Sequence, residues 1–407
     1  MKNNDARRDF IKKSVLGSLA IGTTGLVGCS RQNAEKNREQ EQVMKLQDYD
    51  PVSKLVVKRT DIKRAKMPVI DVHTHIGTRV ATDVNNVAKL VETMDRLNFR
   101  MLFDLSADFG EGFNVSIKNL YEAYPDRFTV LCKINRLTLY DDDFAQKTTA
   151  YIRECHKRGA RGLKFNSAKS LEGLSTSGLE YRFPDGSRLR YDNPRFRPVW
   201  EVCAELNLPV LMHIADPIAF WDPMDRFNER YEELNANNVP PRVYSYYDKG
   251  YYSFFELLEA QERMLEQNRD TKFLIAHVGS YSENLAEVGR MLDSHPNLYV
   301  DTAQRIAELG RQPYTAREFL IKYQDRVLFG TDGLPEDNFS IPNFRFYETF
   351  DEYFHYDEFN ELDPGPVRGS RGHYRQGRWM IYGVGLPDDV LKKIYHDNAV
   401  KLYNLPG

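Results

Sequence analysis

The stretch Met67-Pro68-Val69-Ile70-Asp71-Val72-His73-Thr74-His75 places two imidazoles one residue apart at the end of an apolar run. Positions i and i+2 of a strand face the same side. His73 and His75 are therefore placed to reach one metal ion together from the end of a buried strand, each through a neutral ring nitrogen. An isolated His-x-His is equally compatible with two core histidines. The rest of the chain decides between the two readings by supplying, or not supplying, further ligands at matching positions.

From residue 67 onward short apolar runs alternate with longer amphipathic stretches, the mark of repeated βα units around a parallel sheet. Strands are expected at 69–73, 100–105, 128–133, 162–165, 209–213, 272–277, 298–301 and 326–330. Helical patterns fall between them at 85–97, 148–158, 197–206, 254–267 and 284–294, and a last helix at 388–403. Eight units predict an α/β fold, a (β/α)8 TIM barrel, with reactive groups at the carboxyl ends of its strands. A doubly wound open sheet is the alternative, but it calls for a Gly-rich turn after the first strand, where this chain has His-Thr-His. Two segments, 216–252 after strand 5 and 335–385 after strand 8, exceed ordinary βα loops, and insertions of that length in a barrel tend to be functional.

The first residues are a different kind of sequence. Arg7-Arg8-Asp9-Phe10-Ile11-Lys12-Lys13 leads into a weakly apolar, Gly-rich run to Gly28, the pattern of a twin-arginine export signal and too short for a membrane span. Leu26-Val27-Gly28-Cys29 resembles the lipobox of bacterial lipoproteins, in which the cysteine carries lipid. Residues 1–29 are thus expected to be a signal, 30–62 a polar tether that buries too little apolar surface to fold alone, and 63–407 the barrel. The expected setting is a periplasmic or cell-surface lipoprotein, anchored to a membrane through Cys29. Cys132, Cys155 and Cys203 remain, an odd number at wide spacing that suggests no disulfide framework. A net charge of −3 and the lack of any nucleic-acid motif argue against a nucleic-acid partner. The oligomeric state is open, a homo-oligomer included.

The remaining ligand types sort by position. His213 closes Leu208-Pro209-Val210-Leu211-Met212, His277 closes Phe273-Leu274-Ile275-Ala276, and Asp332 follows Val327-Leu328-Phe329-Gly330-Thr331. With His73 and His75 these stand at the ends of strands 1, 5, 6 and 8, which a closed barrel brings to one mouth. His156, His295 and His396 fall on a helix face, in a turn and in the last helix, and are read as structural. His355 and His373 lie in the last insertion.

The order His-x-His, His, His, Asp on those strands, together with Ala276-His277-Val278-Gly279, Asp325 to Asp332 and Asn398 to Tyr403, resembles the amidohydrolase superfamily. The similarity is closest to its amidohydrolase-related branch, which includes aminocarboxymuconate semialdehyde decarboxylase-like enzymes. That resemblance implies that His73, His75, His213 and Asp332 bind one divalent metal, with zinc the expected ion, and that Asp332 and His277 are catalytic. Asp332 would take a proton from the attacking water and pass it to the leaving group, and His277 would orient the nucleophile or steady the developing oxyanion. Lys164 in Gly162-Leu163-Lys164-Phe165 would be a cation for a substrate carboxylate or phosphate; if carboxylated, it would instead bridge two metals.

The implied activity is hydrolysis of a C–N or C–O bond, amide or lactone type, in a small organic molecule. A decarboxylase on the same ligands is the alternative, and a non-catalytic surface lipoprotein a third reading. Arg136, Asn166 and Arg242 join Lys164 as candidate substrate contacts at the mouth. The aromatics of the first insertion, among them Phe220, Trp221, Tyr246 and Tyr252, are expected mainly to pack against one another.

Overall fold

A short run that is apolar at both parities can be satisfied only in a sheet covered on both faces, and nearly every strand residue of this chain is buried. The computed structural model describes residues 53–135, 138–165, 190–234, 245–356, 376–377 and 379–406. All lie in the second of two compact units, Met1–Pro51 and Val52–Gly407. The export signal and most of the tether fall outside the described residues.

Eight parallel strands run in sequence order: β1 (Val69–Thr74), β2 (Phe99–Asp104), β3 (Phe128–Cys132), β4 (Gly162–Phe165), β5 (Val210–Met212), β6 (Phe273–Ile275), β7 (Leu298–Asp301) and β8 (Val327–Leu328). The seam between β8 and β1 is bridged by Val72 N donating to Phe329 O (3.1 Å), Asp332 N donating to His73 O (2.7 Å) and a Thr74–Gly333 bridge. The result is a nearly closed barrel of the (β/α)8 kind. Its outer helices are α1 (Val84–Leu97), α2 (Glu111–Ser116), α3 (Phe144–Lys157), α4 (Arg197–Glu205), α5 (Phe254–Gln267), α6 (Leu285–Ser294) and α7 (Pro313–Lys322). After β8 come α8 (Asp337–Glu348), α9 (Asp388–Lys392) and α10 (Asn398–Tyr403).

The helices form where the apolar period and the end signals agree. In α1, Val87, Leu90, Met94 and Leu97 make the buried stripe, Asp83 caps the first turn by accepting from Asn85 N, and Asn98 ends the helix at φ 70°. Ser253 and Glu256 form a capping box at α5, an arrangement worth about 1 kcal/mol.

Two apolar layers result. One packs helices on the outside of the strands. The other fills the barrel with Ile70, Val72, Met101, Phe103, Leu131, Leu211, Leu274 and Leu328, joined from α10 by Ala399, Leu402 and Tyr403. Tyr403 meets Phe103 edge-on at 4.7 Å, and a Cβ on Gly162, the first residue of β4, would lie 3.0 Å from its ring. Helix α10 therefore closes the amino end of the barrel and leaves the carboxyl end for chemistry.

The final helix expected over 388–403 is interrupted by a π-helical turn, Lys393–Asp397. Strand β6 stops before His277 for a backbone reason taken up below. Residues 166–189, between β4 and the short helix Pro194–Phe196, fall outside the described residues. Contact with the barrel begins before residue 63: Thr60 donates from N and Oγ1 to the buried Asp351 carboxylate (2.6 and 2.7 Å), which Arg345 holds from the other side (2.8 Å). Cys132, Cys155 and Cys203 are buried free thiols. Among the described residues no helix is long and apolar enough to cross a membrane.

Candidate metal centre

Simple alternation along β1 would send His73 away from the barrel, because Ile70 and Val72 already point inward. A bulge prevents this. Asp71 pairs with Leu102 while Thr74 pairs with Asp104, so β1 carries one extra residue between those points. The parity flips, and Val72, His73 and His75 all face the interior, as bulges beside functional sites often re-aim a side chain. Asp71, turned outward, fixes the bulge by accepting from His73 N (3.0 Å), Thr331 N (3.1 Å) and Thr331 Oγ1 (2.6 Å). Complete burial pushes its carboxyl up to about 7, against those hydrogen bonds.

Three groups converge at the mouth. His75 Nε2 lies 2.9 Å and His73 Nε2 3.4 Å from Asp332 Oδ1, and one donor atom from each of His73, His75 and Asp332 falls within 4.8 Å of the others. Each histidine is gripped by its far nitrogen. His73 Nδ1 donates to Asp301 Oδ2 (2.9 Å), a fully buried carboxylate that can only accept. His75 Nδ1 pairs with Ser106 Oγ (2.9 Å), and Asp104 in turn accepts from Ser106 N (2.9 Å) and Ser116 Oγ (2.7 Å). Holding Nδ1 this way aims Nε2 at the centre, the arrangement that orients metal-binding imidazoles.

His277 enters from an unusual backbone. Residues His277, Val278, Gly279 and Ser280 all have positive φ, from 57° to 69°, a left-handed turn that costs non-glycine residues roughly 1 kcal/mol or more each. This turn ends β6 early. It is held by His277 N on Asp301 Oδ1 (3.0 Å) and His277 Nδ1 on Ala303 O (2.8 Å). Since a carbonyl only accepts, Nδ1 carries the hydrogen. Nε2, 3.9 Å from Asp332 Oδ2, is buried without a hydrogen-bond partner. Burial and the charges of Arg305 and His213 hold this imidazole well below its ordinary range, so it is neutral and its lone pair faces the site.

Asp332 is itself left-handed, at φ 64°. Burial favours its neutral form, but His73 and His75 overcome that and hold its carboxyl well below the usual carboxylate range. Burial likewise works against a charged His73, yet Asp301 and Asp332 on either side raise it to about 9. Gly330 keeps the histidine seated: a Cβ there would lie 2.9 Å from the His73 Cβ.

These features fit a divalent ion: two imidazoles with their remote nitrogens anchored, an ionised carboxylate between them, and an orphaned buried nitrogen alongside. Residues 70–405 match the family described as Amidohydrolase (Amidohydro_2). The chain belongs to the amidohydrolase family. Enzymes of this family are metal-dependent.

Among solved structures the chain is similar to 2,6-dihydroxybenzoate decarboxylase from Rhizobium, at 14% identity over 84% of this chain and 100% of the other, TM-score 0.44. It is similar to 4-oxalomesaconate hydratase from Rhodopseudomonas palustris at 14% identity over 83% and 95%, TM-score 0.44. For 5-carboxyvanillate decarboxylase from Sphingomonas paucimobilis the values are 13% over 84% and 100%, TM-score 0.44. No curated protein matches in sequence.

The other sequence candidates are distributed as follows. His213 stands beside His277, ring centroids 4.5 Å apart, but outside the three-donor cluster. Its Nε2 is on Asp216 Oδ1 (3.1 Å), and Tyr246 OH donates to the other Asp216 oxygen. That bond leaves Nδ1 as the His213 nitrogen open to a ligand. Lys164 is 2% exposed, and its ammonium makes no hydrogen bond or ion pair among the described residues. Burial lowers its ammonium to about 8, against the pull of Asp332 and Asp301. Arg136, Asn166, Arg242 and His373 lie outside the described residues. The Trp221 and Tyr246 rings meet at 4.7 Å with their planes tilted by 55°, and Trp221 Nε1 donates to Tyr252 O (2.8 Å), so these insertion aromatics pack on one another as expected.

The sequence reading passed over Asp301, which grips both His73 and the His277 turn. Its signal was available, since Asp301 closes strand 7 as Asp332 follows strand 8. Asp104 closes β2 in the same way, while Ser106 and Asp216 carried no comparable mark.

Proposed function

We propose that this amidohydrolase is a hydrolase of small organic molecules, acting on an amide- or lactone-type C–N or C–O bond, with one divalent ion, zinc by its nitrogen and oxygen donors, held by His73, His75 and Asp332. The convergence of those three groups around one point, with the His277 lone pair beside it, carries the reading. A divalent ion there supplies Lewis-acid polarisation and lowers the pKa of water. The chain's own groups do the rest. Asp332, kept ionised, accepts the proton of the attacking water and returns it to the leaving group. His277, neutral and short of a partner, takes a hydrogen bond from that water and fixes its line of attack. Asp301 and Ser106 stop the ligand rings from turning.

A decarboxylase is the second reading, and Lys164 favours it. A buried ammonium without a partner among the described residues is costly, and a substrate carboxylate beside Asp332 would relieve that cost.

The purified protein should hold about one divalent ion per chain, and His73→Ala and Asp332→Ala should each lose both the ion and turnover. Release of carbon dioxide, against release of an acid and an amine or alcohol, separates the two readings. Full metal content in both variants would remove the assignment.

A further inference from the structure

A cavity of about 380 Å³ opens beside Asp332. Its wall includes Glu233, Glu336, Gln304, Gln376 and the ring of Phe339, and among the described residues none of its polar side chains is a lysine, arginine or histidine. The sequence suggests a cationic mouth for an anionic substrate, but this wall has the opposite character.

Several details make it a built surface. Gln376 is 7% exposed; its Nε2 donates to Gln304 O (3.1 Å) and reaches Gln304 Oε1 (3.4 Å), while its own Oε1 is buried with no hydrogen-bond partner. Tyr356 OH locks that backbone in place, accepting from Gln376 N and Gly377 N (3.1 Å each) and donating to Gly377 O (2.9 Å). Gln304 sits at φ 53°, a left-handed position for a non-glycine residue, as do His277 and Asp332. Strain of this kind collects where function holds it.

Behind Glu233 lies Arg230, fully buried, which donates to Glu233 (2.7 Å) and to the buried Glu308. Two carboxylates share that one guanidinium, so the Arg230 charge is already countered and Glu233, 30% exposed, faces the cavity as an acceptor. An incoming carboxylate would meet Glu233, Glu336 and the Gln304 and Gln376 side chains without a cation among the described wall residues, an uncompensated desolvation. A protonated amine would meet acceptors on several sides and offset the carboxylates, and Phe339 would flank its carbon chain.

The geometry points to a recognition subsite for a protonated amine on the substrate, next to Asp332 and formed by Glu233, Gln304 and Gln376. As a substrate subsite it rests on the reading that Asp332 marks the reaction centre. The amine would be a handle distinct from the bond that is cut.

Three probes of similar size test it: butylammonium, butanol and butyrate, titrated into the metal-loaded full chain at pH 8 and followed by ligand-observed NMR. Butylammonium should bind about tenfold more tightly than butanol, and butyrate more weakly than either. Gln376→Leu and Glu233→Gln should each weaken butylammonium about fivefold or more with metal content unchanged. Equal binding of the three probes, preference for butyrate, or unchanged butylammonium binding in both folded variants would overturn the proposal. Metal content measured on the same samples keeps the two readings apart: amine selectivity without bound metal removes the reaction centre and leaves the subsite, and metal without amine selectivity does the reverse.

Discussion

Replacing Asp301 with Asn tests whether the buried carboxylate on β7 sets the metal centre. Asp301 Oδ2 receives His73 Nδ1 at 2.9 Å, and Oδ1 receives both His277 N (3.0 Å) and Ala303 N (3.1 Å). Asn is nearly isosteric, so its carbonyl can keep the two backbone bonds while its NH2 replaces the oxygen that faces His73. Two donors then oppose each other. His73 must turn, or move its hydrogen to Nε2, the nitrogen needed for the ion. Loss of such a supporting carboxylate typically costs 10–100-fold in metal affinity, about 1.4–2.7 kcal/mol. Alanine is a different experiment, because it strands two buried N–H groups at roughly 1–3 kcal/mol each and unsettles the fold. The assay is competition with a chromophoric chelator on both proteins, together with histidine NMR titration of the metal-free forms. Asp301→Asn should bind metal 10–100-fold more weakly, and the His73 signal, raised to about 9 in the parent, should move down. Wild-type affinity in a folded Asp301→Asn protein, with His73 still titrating as before, would refute the reasoning.

Burial raises the Glu233 carboxyl from 4.5 to about 7, more than Arg230 lowers it. The folded chain therefore binds this proton more tightly than the unfolded chain, and stability falls as pH rises from about 4.5 to 7 and levels off above. Glu233→Gln should remove that decline, on the order of 1–3 kcal/mol given the partial exposure of the side chain; parallel denaturation curves for the two proteins at pH 5 and pH 8 would exclude it. If Cys29 carries lipid, Cys29→Ser should move the protein from the membrane to the soluble fraction of its host, and unchanged membrane partition would count against an anchor at that residue.

Much of this architecture was legible because parallel barrels write themselves locally. Each buried strand is an apolar run, each helix carries its stripe and caps, and β4 and β7 were placed to the residue. The centre was legible for the related reason that strand ends converge in a barrel, so His73 and His75, His277 and Asp332 could be gathered from three distant segments. Less legible was anything that depends on backbone outside the regular periods. Ile70-Asp71-Val72-His73 reads as simple alternation, and only pairing with β2 reveals the extra residue that turns His73 inward. The left-handed run from His277 to Ser280 includes Val278, a residue whose side chain disfavours that conformation, so propensity argued for continuing β6. Gln376 on Gln304 and Arg230 on Glu308 join segments whose spacing in sequence carries no signal.

The positions of backbone strain connect these cases. His277, Gln304 and Asp332 are non-glycine residues at positive φ, they follow β6, β7 and β8 in turn, and all three border the mouth. A glycine at any of them would relieve the backbone and remove the side chain that does the work. Their presence as His, Gln and Asp at a cost of about 1–3 kcal/mol each is what a site requires when chain direction must change within a few residues of a strand end and a functional group must still face inward. By that criterion Gln304 belongs with His277 and Asp332. It is the one of the three that no ligand spacing in the sequence could have marked, since its partner Gln376 comes from the far end of the last insertion.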